Sequence, residues 1–260
     1  MTTNNPATTT TTTTTPSPAP SAPPGPEVAP VRPGEDLDWP GIEAYIRANI
    51  DLDVVLAPGP MTVLQFPNGS ANLTYLVRFG DLEMVLRRPP FGTIAPGAHD
   101  MKREHRVLSR LWRHFDRAPR SYLFSDDHSV AGADFFVMER RRGVVIRDHL
   151  PDGLGDHENA ARRVGFALVD AMADLHALDP TACDLGDLGK AEGFVARQVS
   201  GWKSRWDLVK DDIGLDLMDD LAARLAASLP ESQRVSFVHN DLKLDNCRVE
   251  LAVVDRKSVV

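Results

Sequence analysis

The sequence predicts an α+β protein with two lobes, a β-rich N-terminal lobe and a mainly helical C-terminal lobe. Short runs of aliphatic and β-branched residues, separated by turn residues, fill the first half of the globular part. Beyond Pro151, apolar residues recur at helical spacing instead. The chain has 260 residues, of which 42% are hydrophobic, so it can bury a sizeable core. Two lobes joined near residues 139–143 would leave a cleft between them, and such clefts are common ligand sites.

The first 35 residues differ in composition from the rest. They contain nine of the twenty prolines, a threonine run from Thr8 to Thr15, and no aromatic residue. Such a segment buries too little apolar area to offset its ordering entropy, so we predict a disordered tail over residues 1–35. It lacks the apolar stretch of a secretory signal and carries a single arginine, Arg32. We therefore expect a cytoplasmic protein.

The N-terminal lobe is predicted to span residues 36–142. Asp38 is suited to cap a helix with Pro40 in its first turn. Gly80-Asp81 is typical of a tight hairpin turn. The predicted elements are a helix over Pro40–Asn49, strands over Met61–Phe66, Leu73–Phe79 and Leu82–Arg87, a helix over His99–Phe115, and strands over Ser121–Phe124 and Asp134–Glu139.

The C-terminal lobe is predicted to span residues 143–254. Its helices are predicted over Asn159–Leu178, Phe194–Lys210 and Asp216–Ala227. The first shows one apolar stripe that includes Val164 and Leu175. Trp202 and Trp206 share a helical spacing that favours packing over stacking on a base.

Charge and composition exclude several classes of protein. The net charge is −8, from 29 basic and 37 acidic residues, which argues against an electrostatic grip on nucleic acid. No run of 18 apolar residues exists, so no membrane span is predicted. Cys183 and Cys247 are too few for a disulfide framework and are expected to be reduced thiols.

The motif that carries chemistry lies at residues 237–246. It has the form His-x-Asp-x-x-x-x-Asn after a short apolar strand, the spacing of a kinase catalytic loop. A carboxylate there orients and accepts the proton of an attacking hydroxyl, the role we assign to Asp241. An amide oxygen holds magnesium on the nucleotide phosphates, the role of Asn246. His239 would brace the loop.

The order of other parts supports a kinase interpretation. A loop of small residues should cover the phosphates, a strand should carry a cation, and the next helix should carry a glutamate that holds this cation. The matching nucleotide-binding candidates are Asn68, Gly69, Ser70, Asn72, Arg87, Glu104 and Met138, the last at the linker that would meet adenine. Singly, Arg87 could be a strand-end charge and Glu104 a surface acid. The common order of all the parts favours a phosphotransferase.

These residues resemble the aminoglycoside phosphotransferase and choline kinase-like family, which has a protein-kinase-like fold. The nearest likeness is to the kinase-like domains found alone or fused to acyl-CoA dehydrogenases. The resemblance extends over about residues 40–254. It is carried by Leu86–Gly92, Ala98-His99, Arg103–Leu108, Phe135–Glu139, Leu175-His176, Arg197–Val199 and His239–Asn246.

The resemblance implies ATP, Mg²⁺ and transfer of the γ-phosphate to a hydroxyl of a small molecule. It also implies a functional link to an acyl-CoA dehydrogenase. Arg87 takes the place where other kinases have lysine, and its fork can bridge phosphate oxygens and Glu104. An anionic acceptor, such as a hydroxyacyl-CoA, would suit the run Arg140–Arg142 with Arg147, although a solvated linker face is favoured for that run.

The pattern of the family breaks near the C-terminus. The family has a second metal-binding aspartate, for which Asp255 is the candidate. However, the usual turn before it is missing, and a continuous strand over Cys247–Val254 would carry Asp255 away from the metal. We therefore expect an incomplete, C-terminally truncated helical lobe.

The last six residues, 255–260, are what the start of a common synthetic sequencing adapter encodes. We hypothesise that they are a read-through artefact on a gene fragment, which long-read resequencing of the source locus would test. Two alternatives to the small-molecule kinase stay open. One is a catalytically inactive nucleotide-binding remnant or gene fragment, and the other is an aminoglycoside phosphotransferase.

Overall fold

The computed structural model describes residues 27–67, 72–92, 99–151, 154–155, 157–210 and 216–250. Several predicted features lie outside these residues. They are positions 1–26 of the predicted tail, the loop residues Asn68, Gly69 and Ser70, and the C-terminal segment 251–260 with Asp255.

Five antiparallel strands form one sheet in the order β1-β2-β3-β5-β4. The strands are β1 Thr62–Gln65, β2 Leu73–Phe79, β3 Leu82–Arg88, β4 Ser121–Ser125 and β5 Phe135–Glu139. Gly80 joins β2 to β3 with φ of +62°, and a Cβ there would lie 2.9 Å from the Cβ of Ala57. The turn therefore requires a residue without a side chain.

Six α-helices and one 3₁₀ turn are present among the described residues. They are α1 Trp39–Asn49, α2 Met101–Leu111, α3 His128–Ala131, α4 Ala160–Ala177, α5 Phe194–Val209, α6 Asp216–Ala227 and the 3₁₀ turn Leu244–Asn246. The fold class is α+β, as predicted. The strand β2 and the helix α6 have the predicted bounds, while α3 and the 3₁₀ turn were not predicted.

The main core lies between α1 and one face of the sheet. The Asp38 side chain accepts a hydrogen bond from the Gly41 amide at 3.2 Å and caps α1. Ile42 and Ile46 of α1 are fully buried against alternate sheet residues such as Tyr75. Since successive strand residues point to opposite faces, the residues between them form the other face of the sheet, which borders the cleft.

The helix α4 joins two smaller cores of the C-terminal lobe. Val164 packs with Ile146, Cys247 and Val249, whereas Leu175 packs with Leu111 and other residues at the other end of the helix. The predicted apolar stripe of α4 therefore packs into these two cores. By contrast, neither α5 nor α6 contains a buried residue, and these two helices contact each other.

The structure differs from the predicted tail at residues 27–35. Ala29 exchanges two backbone hydrogen bonds with Gln65 of β1, at 2.8 and 2.7 Å. The Arg32 amide donates to the Gln65 side chain at 2.8 Å, and the Tyr75 hydroxyl donates to the Glu35 carbonyl at 2.7 Å. This segment, which we call the N-terminal strap, therefore extends the sheet at its β1 edge. The composition of the strap does not predict these contacts, because the partners lie more than 30 residues away in sequence.

No helix in the described part of the chain is long and apolar enough to cross a membrane. Cys183 and Cys247 are both free and buried. Burial raises the pKa of both thiols, so they remain largely protonated near neutral pH.

Candidate active site

Arg87 and Glu104, predicted to pair, are in contact. Arg87 lies on β3, in register with Thr74 of β2 and Phe136 of β5, on the cleft face of the sheet. Its Nη1 donates to Oε2 of Glu104 on α2 at 2.8 Å. The neighbouring Arg88 points the other way and is buried, with its Nη1 donating to the Ala131 carbonyl at 2.6 Å. Strand alternation thus decides which of the two adjacent arginines lies on the face of the sheet opposite the main core.

Glu104 has an environment that disfavours its charged form. Burial raises the pKa of the Glu104 carboxyl, and the Arg87 guanidinium and His99 oppose that shift without cancelling it. The ion pair is therefore partly desolvated rather than a loose surface contact. Each side chain is about a third exposed, which leaves room for a ligand to reach the guanidinium.

Asn72 is the described member of the predicted phosphate-covering loop. It is buried, and its Oδ1 lies 2.5 Å from Nδ1 of His99. His99 has a positive φ of 59° and precedes Asp100, whose side chain caps α2 through the Arg103 amide at 2.9 Å. Asn72 therefore ties the start of β2 to the start of the helix that carries Glu104.

The predicted catalytic loop is held by its own residues. The Asn246 Nδ2 donates to the Asp241 carbonyl at 2.8 Å and to Asp241 Oδ2 at 2.7 Å. The Asp241 amide donates to Nδ1 of His239 at 3.3 Å, which is the bracing contact expected of that histidine. Between them, Asn240 has φ of +65°, a conformation that asparagine tolerates better than most residues.

Asp241 presents its carboxylate to solvent. Its side chain is 68% exposed, and Lys243 Nζ lies 3.8 Å from Oδ1. A carboxylate with one oxygen held by Asn246 and the other near a lysine is oriented without being buried. Such a group can accept a proton from an incoming hydroxyl.

A cleft of about 230 Å³ lies between the sheet and the C-terminal lobe. The sheet side includes Phe66, Thr74, Val85 and Met138, and the opposite side includes Asn246. Val85 of β3 and Met138 of β5 are register partners and lie side by side on the sheet. The structure therefore brings the predicted linker residue and the predicted metal ligand to one cavity. Arg87 and Glu104 are not among the described residues that line it.

The rest of the cleft is strongly basic, with four arginines in its lining. The lining is completed by Arg117, Pro119, Glu139, Arg140, Arg141 and Arg248. Arg140 is only 8% exposed and pairs with Glu83 at 2.5 Å and Glu27 at 2.8 Å. Arg142, 71% exposed, also pairs with Glu83, at 2.6 Å.

The interpretation of the run Arg140–Arg142 as a solvent-exposed linker face is therefore wrong for Arg140. Burial would raise the pKa of Glu83, but Arg140, Arg78 and Arg142 together hold it below its usual value. Arg141 Nη2 donates to the carbonyls of Asp116 and Ala118, each at 2.8 Å. Because Glu83 and Asp116 are far from this run in sequence, its spacing alone could not reveal these partners.

The oxygen donors near the loop suit a metal ion that arrives on a nucleotide. Among the described residues, no group of three or more histidine, cysteine or acidic side chains could hold a metal ion. Mg²⁺ commonly takes only one or two protein oxygens and completes its shell with phosphates and water. With its amide nitrogen bound to Asp241, Asn246 has its Oδ1 left to serve as one such ligand.

A second depression, of about 490 Å³, lies at the start of α4. It is lined by Glu158, Asn159, Arg162, Arg163 and Phe166, none of which is a predicted site residue.

Comparison with known proteins identifies a family for this chain. Residues 62–256 match the APH phosphotransferase enzyme family. Acyl-CoA dehydrogenase family member 10 of Mus musculus is 30% identical over 221 residues, which make up 85% of this chain and 20% of that protein. The chain thus spans a fifth of the length of this curated relative.

Solved structures share the fold. A crystal structure from Ralstonia eutropha JMP134, provisionally named an aminoglycoside phosphotransferase, superposes with a TM-score of 0.66 at 28% identity. The superposition covers 83% of this chain and 61% of that one. A ternary complex of aminoglycoside phosphotransferase APH(4)-Ia with AMP-PNP and hygromycin B has a TM-score of 0.52 at 16% identity, covering 76% and 64%. The second likeness concerns the fold alone.

Proposed function

The chain belongs to the APH phosphotransferase enzyme family, and on that basis we propose that it transfers the γ-phosphate of ATP to a hydroxyl of a small molecule. The single observation that best supports this is the lining of the cleft. Met138 and Val85 of the sheet and Asn246 of the His-x-Asp-x-x-x-x-Asn loop border one cavity. A nucleotide with its base at the sheet would direct its phosphates along the same space.

Asp241 is the proposed catalytic base. Its exposed carboxylate can accept the proton of the acceptor hydroxyl as the oxygen attacks the γ-phosphorus. Asn246 holds one carboxylate oxygen at 2.7 Å and thereby orients the other. Phosphoryl transfer depends mainly on such positioning and on electrostatic stabilisation.

Arg87 and Glu104 are the proposed phosphate clamp. The 2.8 Å contact between them fixes the guanidinium on the cleft face of β3. Asn68, Gly69, Ser70 and Asn72 are proposed to cover the phosphates, and Asn246 is the proposed magnesium ligand. Asp255 keeps its place as a candidate second ligand. Magnesium, when bound, would neutralise charge on the transferred phosphate.

The acceptor is proposed to be a small alcohol. The relative from Mus musculus carries the name of an acyl-CoA dehydrogenase family member, which supports a functional link to such an enzyme and a hydroxyacyl-CoA as one candidate acceptor. The arginine run adds little support for an anionic acceptor, because Glu83 and Glu27 already neutralise Arg140. An aminoglycoside is the other candidate, since APH(4)-Ia binds hygromycin B.

The proposal is tested with the full chain and an Asp241→Asn variant. Transfer from Mg-ATP is followed as ADP release with a panel of hydroxyacyl-CoA esters, other small alcohols and aminoglycosides. We expect Asp241→Asn to lower kcat by about 10²- to 10⁴-fold, the usual contribution of a general base, while the Kd for Mg-ATP changes little.

Asp245→Asn is the matched control, because Asp245 is an exposed aspartate of the same loop. Equal loss in both variants would contradict the assignment of the base to Asp241. Binding of Mg-ATP without turnover of any acceptor would instead favour a nucleotide-binding protein without catalysis. A chain that binds no nucleotide would refute the proposed function.

A further inference from the structure

We propose that Glu27 is a positioning residue of the nucleotide cleft and holds the Arg248 guanidinium as a flat cationic wall for the nucleobase. The inference rests on the proposed function, since it takes the cleft to be the nucleotide site. It concerns a contact between the N-terminal strap and the segment that follows the catalytic loop.

Arg248 shares the cleft-facing side of its segment with Asn246. The backbone is extended at Cys247, directly after the 3₁₀ turn, so the residues on either side of Cys247 point the same way. Cys247 and Val249 are buried in the core beneath α4, and Val249 exchanges two backbone hydrogen bonds with Val144, at 2.9 and 2.8 Å. Asn246 and Arg248 therefore point away from that core, and both line the cleft.

The opposite side of the cleft is apolar. Val85 and Met138 lie side by side on the sheet, and Phe66 lies at the end of β1. The Arg248 Cζ is 5.7 Å from the centroid of the Phe66 ring. The guanidinium thus lies within cation–π distance of an aromatic ring that lines the same cleft.

Glu27 holds this guanidinium. The Arg248 Nη1 donates to Glu27 Oε1 at 2.5 Å and to the Gly143 carbonyl at 3.0 Å. The other Glu27 oxygen, Oε2, accepts from Arg140 at 2.8 Å. One carboxylate therefore joins the end of β5 to the segment after the catalytic loop, across the cleft.

Glu27, which holds Arg248, belongs to the N-terminal strap. Glu27 precedes residues 62–256, the part that matches the family. The strap is anchored two residues later, where Ala29 pairs with Gln65 of β1. Glu27 is 45% exposed, whereas Arg248 is 23% exposed, so the acid covers the arginine from the solvent side.

A guanidinium offers a nucleobase something that an ammonium group does not. Its plane can stack on a ring while its edge keeps hydrogen bonds to Glu27 and Gly143. Lysine in its place would keep the charge and lose the plane. This difference separates a wall for the base from an attraction for phosphate.

The test compares Arg248→Lys and Arg248→Met with the wild-type chain by calorimetric titration of ATP and of adenosine, which carries no phosphate. We expect Arg248→Met to raise both Kd values by about two- to thirtyfold, the range of a cation–π contact. Arg248→Lys should raise both values by less, since the ammonium group keeps the charge and loses the stacking plane. Glu27→Gln should raise the same values less, and should have no further effect when Arg248→Met is already present.

Glu35→Gln is the matched control, since Glu35 lies on the same strap and pairs with Arg32 rather than with a cleft residue. It should leave both Kd values unchanged. If Arg248→Met fails to fold, judged by circular dichroism, Arg248→Lys carries the test and Glu27→Gln is combined with it.

Four results would overturn the inference. Full affinity in Arg248→Lys would mean that no planar group is needed at this position. A loss confined to ATP would mean that Arg248 acts on the phosphates and not on the nucleobase. An equal effect of Glu27→Gln with and without Arg248→Met would mean that Glu27 does not act through Arg248. Unchanged affinity in every variant would refute this inference alone, whereas a wild-type chain that binds no ATP would refute the proposed function as well.

Discussion

Glu104 shows how burial at a single residue is balanced against a charge partner. Burial raises the pKa of this carboxyl, and Arg87 opposes the shift. The folded chain therefore binds this proton more tightly than the unfolded chain does. As pH rises from the ordinary carboxyl range through the raised pKa, the contribution of Glu104 to the free energy of unfolding falls.

We predict that Glu104→Gln does not lower the free energy of unfolding at pH 7, and that it flattens the pH dependence in this window. The neutral amide avoids the desolvation of the carboxylate. Phosphoryl transfer should nevertheless fall, since Arg87 loses its charged partner. Urea titrations between pH 4 and 7, with ADP release measured in parallel, test both parts.

Glu43 supplies the contrast. Its carboxylate accepts from the Met61 amide and from Arg47, each at 2.9 Å, and these contacts lower its pKa. Stability from Glu43 is therefore present at neutral pH and is lost as pH falls through the lowered pKa. Glu43→Gln should destabilise the chain at pH 7, and an equal loss in Glu104→Gln would contradict the prediction for Glu104.

At the scale of an element, α1 shows how packing stabilises a short helix. Ile46 is fully buried between α1 and the sheet, whereas Leu52, shortly after the helix, is fully exposed. We predict that Ile46→Ala lowers the free energy of unfolding by about 2–5 kcal/mol, because it leaves a cavity in the main core. Leu52→Ala should change it by less than about 0.5 kcal/mol. Denaturant titration measures both, and similar losses would contradict this view of the core.

Elements whose signal is local could be predicted from the sequence. The bounds of β2 and α6 agree with the prediction because alternation, helical periodicity and turn residues all lie within the segment itself. The helix α3 has four residues, too few to show a period. The helical spacing of Trp202 and Trp206 predicts packing, yet Trp202 is 65% exposed on a helix without a buried face.

The candidate site divides in the same way. The Arg87–Glu104 contact could be expected from the order of strand and helix, and the Asp241–Asn246 contact lies within one loop. The contact between Glu27 and Arg248 joins residues 221 positions apart. A pairing over that distance depends on the folded topology, and neither composition nor spacing predicts it.

Across the whole molecule, stability should be uneven. The sheet and α1 share one core, and α4 contacts two smaller ones, whereas α5 and α6 bury no residue. We predict that amides of α5 and α6 exchange with deuterium about a hundredfold faster than those of β2 and β3, since local opening there exposes little apolar surface. Those of α4 should lie between the two. Equal protection of α5 and the sheet, measured by mass spectrometry, would show that these helices are covered in solution.

The N-terminal strap has a practical consequence for anyone who shortens this protein. The proline- and threonine-rich composition suggests removing residues 1–35, so that the shortened chain begins at Asp36. That deletion would remove both backbone hydrogen bonds between Ala29 and Gln65 and both ion pairs of Glu27. A truncation that starts at Glu27 keeps them. An affinity tag fused directly to Glu27 would lie beside the cleft, so a spacer is needed wherever nucleotide binding is to be measured.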